Sequence, residues 1–121
     1  NLRHRSGPVI ELRVSPQAKD LPEDVALCLY RVTQEALGNA LRHAEARRIE
    51  VALQVEHHRV DLTIADNGKG FVTEGKGSRG LGLMSIDERT KLLGGSYRLQ
   101  STLGKGTELC IQIPLEVHVS A

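Results

Sequence analysis

Residues Val60–Gly70 read V-D-L-T-I-A-D-N-G-K-G. Val60, Leu62 and Ile64 recur at every second position, the period of a strand with one face in a core. Asp66 keeps the same phase. A strand that has turned only aliphatic groups inward therefore ends by turning a carboxylate inward, beside Gly68 and Gly70. A carboxylate without partners is costly in an apolar setting. Its placement here implies use: it can accept a hydrogen bond from a flat, mostly apolar ligand that enters next to the glycines.

Upstream, Ile49, Val51, Leu53 and Val55 alternate in the same way, and His57-His58 separate the two runs. The pair predicts an antiparallel hairpin with a solvated turn, and the adjacent histidines lack the spacing of metal ligands. Val9 to Val14 predicts a short strand, followed by a loop over Ser15 to Asp20. Leu21-Pro22 opens a long helix that should run to about Ala44. Proline is tolerated in its first turn, and Glu23-Asp24 suit the positive end of its dipole. Val25, Leu29, Val32, Ala36 and Ala40 form its apolar stripe.

Downstream, Asn67 to Gly80 is a polar loop rich in glycine. A second helix is expected from about Leu81 to Leu93, stopped by Gly94-Gly95 in a left-handed cap. Two strands follow, near Ser96 to Ser101 and Thr107 to Pro114, joined by Leu103-Gly104-Lys105-Gly106. The order predicts an α/β two-layer sandwich, a mixed, largely antiparallel sheet covered on one face by helices. A chain of 121 residues supports one domain with one core, ordered over about residues 8–115.

Composition removes several function classes. Aromatic residues make up 2 %, too few for a base-stacking surface, and the formal net charge of +1 offers no basic run to a polyanion. No nucleic-acid partner is therefore expected. No apolar stretch reaches the length of a membrane span, and the domain is not expected to contact a membrane. Cys28 and Cys110 form no CxxC pair, which suits a reducing, cytoplasmic setting.

On the first helix, Glu35, Asn39, Arg42 and His43 stand at i, i+4, i+7 and i+8, a spacing that shares one helical face. Asn39 offers a neutral oxygen to a hard cation, and magnesium needs few protein ligands when phosphates supply the rest. Arg42 and His43 suit phosphate oxygens. In the last strand Thr107 shares the phase of Leu109, Ile111 and Ile113, so a hydroxyl also closes an apolar run. It is a candidate partner for Asp66 or for a water that Asp66 holds.

Two nucleotide motifs in the glycine-rich loop are incomplete. Gly70 to Lys76 matches G-x-x-x-x-G-K, but Gly77 stands where a P-loop needs Ser or Thr. Gly75 to Gly80 matches G-x-G-x-x-G, but it lies well past the preceding strand and lacks the later acid that would hold a ribose. The loop reads instead as a lid. Its end, Gly80-Leu81-Gly82, brings backbone N–H groups at a helix start toward an anion, with Lys76 and Arg79 adding charge.

Taken together, the pattern resembles the ATP-binding domain shared by sensor histidine kinases, gyrase-type topoisomerases, Hsp90 chaperones and MutL repair proteins. Q-E-A-L-G-N-A-L-R-H-A (Gln34 to Ala44) resembles the N box. D-N-G-K-G-F (Asp66 to Phe71) resembles the first glycine box, G-L-G-L (Gly80 to Leu83) the second and G-K-G-T (Gly104 to Thr107) the last. Within the family, R-V-T-Q-E-A-L-x-N-x-L-R-H-A and G-L-G-L-x-x-x-x-E-R-x-x-x-L-G-G look like histidine kinases that pair with LuxR-type response regulators. Ile86, where that branch usually carries Met, and Arg42, where Lys is common, are conservative departures.

The resemblance implies a Bergerat ATP-binding fold, with ATP and magnesium (Mg2+) as ligands. Asp66 would accept the adenine amino group, supported by Thr107 partly through water. Asn39 would bind magnesium, and Glu35 would lie near its water or act as a base. Arg42, His43 and the Gly80 to Gly82 backbone would face the phosphates, while Gly68 and Gly70 would admit the nucleotide. None of the five histidines sits in a phosphoacceptor context. The implied activity is that of the catalytic domain of a histidine kinase, monomeric by itself. Its partners would be an upstream dimerisation and phosphoacceptor domain in a homodimeric parent, and a cognate response regulator. A clamp-type ATPase and a non-catalytic nucleotide sensor are the alternatives.

Overall fold

A computed structural model of the chain describes residues 7–70 and 83–115, with backbone alone described at residues 43, 44, 83 and 84. Strand β1 (Val9–Val14) leads through a 3₁₀ turn (Pro16–Asp20) into helix α1 (Glu23–Asn39), which continues as a π-helical turn (Ala40–Ala44). Strands β2 (Arg48–Val55) and β3 (Arg59–Asp66) form the expected hairpin. Helix α2 (Leu83–Leu92), β4 (Ser96–Thr102) and β5 (Gly106–Pro114) complete the fold.

The five strands lie in the order β1-β2-β3-β5-β4. β1 and β2 are parallel, as the long crossover through α1 allows, and every other pair is antiparallel. The sheet is therefore mixed and largely antiparallel, with the helices on one face, as the alternation predicts.

The core lies between that face and the helices. Val25, Leu29 and Val32 of α1 and Ile86 of α2 pack with Ile49 and Val51 of β2, Val60, Leu62 and Ile64 of β3, and Leu109, Ile111 and Ile113 of β5. Burying each such side chain stabilises by about 1.5–3 kcal/mol relative to leaving it exposed. β1 behaves differently. Ile10, Leu12 and Val14 share the core face through their register with Ile49, Val51 and Leu53, yet all three stay exposed at the sheet edge. Among the described residues no helix is long and apolar enough to cross a membrane.

Candidate functional site

Three strands end their apolar phases at the same end of the sheet. Asp66 of β3 stands opposite Thr107 of β5, and Thr107 stands opposite Ser101 of β4. The result is a row of a carboxylate and two hydroxyls running across the strands. Asp66 is half-buried rather than fully buried, because it is the last residue of its strand. Its Oδ1 accepts the Gly68 N–H at 2.8 Å. Among the described residues its second oxygen has no hydrogen-bond donor, so it is available to a ligand.

Thr107 does not meet Asp66 directly. Its Oγ1 lies 2.8 Å from Ser101 Oγ, which donates to the Gly106 carbonyl at 3.2 Å. A hydroxyl has one proton, so Thr107 must donate to Ser101 and keep its lone pairs as acceptors. Ser101 is the residue that the sequence reading missed. Its signal was available: Tyr97, Leu99 and Ser101 repeat the rule that singled out Asp66 and Thr107.

Backbone contacts hold this row. Asn67 Oδ1 accepts the Arg47 and Arg48 N–H groups at 2.9 and 2.8 Å, and Asn67 N–H donates to the Arg48 carbonyl at 3.2 Å. The end of β3 is thereby clamped to the start of β2. Gly104 N–H donates to the Lys69 carbonyl at 2.6 Å, joining the two glycine-bearing turns. Gly70 and Gly106 have φ of 66° and 112°. A Cβ at Gly70 would strike the Thr102 carbonyl, and one at Gly106 would strike the Asp66 carbonyl. Gly70, expected to admit a ligand, thus also admits its own neighbouring backbone.

The helical side is built from side chains. The predicted helix does continue to Ala44, but its last turn is π-helical and is followed by Glu45 in the left-handed region, with φ of 54°. That backbone costs a non-glycine residue about 1–2 kcal/mol. A π turn carries an i→i+5 bond, so residues beyond Ala40 leave the 3.6-residue phase. Of the four side chains expected on one face, Glu35 and Arg42 line a common cleft of about 200 Å³ between α1 and α2, with Arg31 and Arg89. Asn39 does not line it, and the His43 side chain lies outside what the structure describes.

Arg42 folds back over Gly38, where a Cβ would lie 2.8 Å from Nη1. The Asn39 Oδ1 is buried. No cluster of three His, Cys, Asp or Glu residues suited to a metal occurs among the described residues. Any cation here would depend on a carboxamide oxygen and on ligand oxygens, a set that suits magnesium. On α1, burial pushes the Cys28 thiol pKa up, while the Arg89 charge works against the shift. Lys76, Arg79, Gly80, Leu81 and Gly82 lie outside the described residues.

Residues 24–117 match the family described as histidine kinase-, DNA gyrase B- and HSP90-like ATPases. The chain is 35% identical over 114 residues to the signal transduction histidine-protein kinase/phosphatase DegS of Bacillus subtilis, covering 92% of this chain and 28% of that one. It is 34% identical over 100 residues to the oxygen sensor histidine kinase NreB of Staphylococcus carnosus, covering 81% of this chain and 28% of that protein. The chain thus spans well under half the length of these relatives. Among solved structures, the blue-light activated histidine kinase of Erythrobacter litoralis EL346 superposes with a TM-score of 0.74 at 22% identity, over 90% of this chain and 36% of that one. That likeness bears out the fold.

Proposed function

This chain belongs to the family of histidine kinase-, DNA gyrase B- and HSP90-like ATPases, and from that membership we propose that it binds ATP with magnesium and donates the γ-phosphate to a histidine on a separate dimerisation domain. It would thereby serve as the catalytic domain of a two-component sensor histidine kinase whose cognate response regulator receives the phosphoryl group. The observation that carries this reading is Asp66. One of its oxygens is engaged by Gly68, and the other faces no donor among the described residues, beside two buried glycines.

Asp66 accepts the adenine amino group through that second oxygen. Thr107, its own proton committed to Ser101, adds an acceptor that a water can bridge. Asn39 Oδ1 would be the protein ligand for magnesium, which when bound would neutralise charge on the phosphates. Arg42 and, by the resemblance, His43, Lys76, Arg79 and the Gly80 to Gly82 backbone hold phosphate oxygens. Glu35 lines the same cleft as Arg42, and its role would be to order the attacking group or accept its proton. Phosphoryl transfer requires mostly positioning and charge neutralisation, and this set supplies both.

The test is to incubate the full-length parent protein, and the domain by itself, with ATP labelled at the γ-phosphate. An acid-labile, alkali-stable label on the parent alone is expected. Release of phosphate with no protein label from either would favour a clamp-type ATPase and overturn the kinase reading.

A further inference from the structure

The cleft between α1 and α2 carries more positive charge than its neighbours balance. Arg31 of α1, Arg42 of its π-helical continuation and Arg89 of α2 line it, with Glu35 as the one carboxylate among the described residues. Among the described residues, ion pairs engage Arg48, Arg59 and Lys91, and none engages these three guanidiniums. Arg89 is half-buried, and its Nε donates to Ser85 Oγ at 3.3 Å. Its two terminal amino groups have no acceptor among the described residues. Three guanidiniums grouped in a cleft around a single carboxylate, with no ion pair to it, are arranged for an external anion.

Position along α1 says which anion. The strand-end row lies beside the C-terminal end of this helix, because Asn67 of that region binds Arg47 and Arg48 just after the π turn. Moving away from it, the helix presents Asn39, Glu35 and Arg31 in order. Arg31 lies eight residues before Asn39, about 12 Å along the axis. A nucleotide whose base rests at Asp66 would extend its phosphates in that direction, so its terminal phosphoryl group would arrive at this cleft.

We propose that Arg89, with Arg31, holds the terminal phosphoryl group of the bound nucleoside triphosphate and orients it for transfer. This rests on the ATP-binding reading above and assigns residues that it leaves idle. The two arginines act as positioning residues, and α2 becomes one wall of the phosphate site. They distinguish a triphosphate from a diphosphate, because only the triphosphate reaches them.

Calorimetry with ADP and with a non-hydrolysable ATP analogue, each with magnesium, tests the assignment. In Arg89→Met the analogue should bind at least about tenfold more weakly, the loss of one charge-assisted interaction, while ADP affinity stays within about twofold. Arg89→Lys should recover part of the difference, because it keeps the charge without the fork. Should Arg89→Met fail to melt cooperatively, Arg31→Met at an exposed position should show the same selective loss. An unchanged ratio of analogue to ADP affinity, or an equal loss for both ligands, overturns the proposal. Failure of the wild type to bind either nucleotide would instead overturn the ATP-binding reading itself.

Discussion

The two ends of the candidate site are built by opposite means. At the strand ends, Asp66, Thr107 and Ser101 are set by sheet register, and the turns around them are locked by backbone hydrogen bonds and glycines. In the cleft between α1 and α2, the groups are long charged side chains, held by few partners and facing open space. The first region has its shape before any ligand arrives. The second has charge but little fixed geometry, and would gain order from the anion it takes. On the proposed reading, recognition of the base would be tied to fold stability, whereas handling of the phosphates would vary without it.

The largest effect should come from disturbing the rigid end. Gly106→Ala places a Cβ against the Asp66 carbonyl at a φ of 112°. Strain and overpacking should together cost about 3 kcal/mol or more, a large share of a small domain's stability. Thermal or urea denaturation would show the loss, and an unchanged midpoint would mean that the strand-end turn is not tightly set.

A smaller effect of opposite sign is expected at the open end. Gly38→Ala replaces glycine inside α1, a gain of up to about 1 kcal/mol in helix propensity. The nearest atoms to the new methyl group belong to the movable end of Arg42. The variant should therefore melt slightly higher while losing a few-fold in affinity for an ATP analogue. A lower melting temperature would break the contrast between the two ends.

The contrast also explains what the sequence could reveal. Two-residue alternation exposed β3, β5 and the inward turn of Asp66 and Thr107, because sheet geometry is local and periodic. The same rule applied to Tyr97, Leu99 and Ser101 would have added the third member of the row. Gly94-Gly95 announced the left-handed end of α2, with Gly94 at φ of 74°. Other features had no local signal. A-L-R-H-A gives no sign of a π turn, and Glu45 is not a residue that sequence rules place in a left-handed cap. The face predicted for Glu35, Asn39, Arg42 and His43 assumed an unbroken α-helical period, which the π turn interrupts. Asn67 read as one more loop residue, because its partners Arg47 and Arg48 are close only through the fold.

The central claim is that the Asp66 carboxylate recognises adenine, and Asp66→Asn tests it with little disturbance elsewhere. The asparagine carbonyl can keep the Gly68 bond now made by Oδ1. Its amide NH₂ would then replace the free oxygen and face the adenine amino group, donor against donor. Calorimetric titration with an ATP analogue should show an affinity at least about tenfold lower than wild type, at an unchanged melting temperature. Equal affinities for the two proteins would contradict the account.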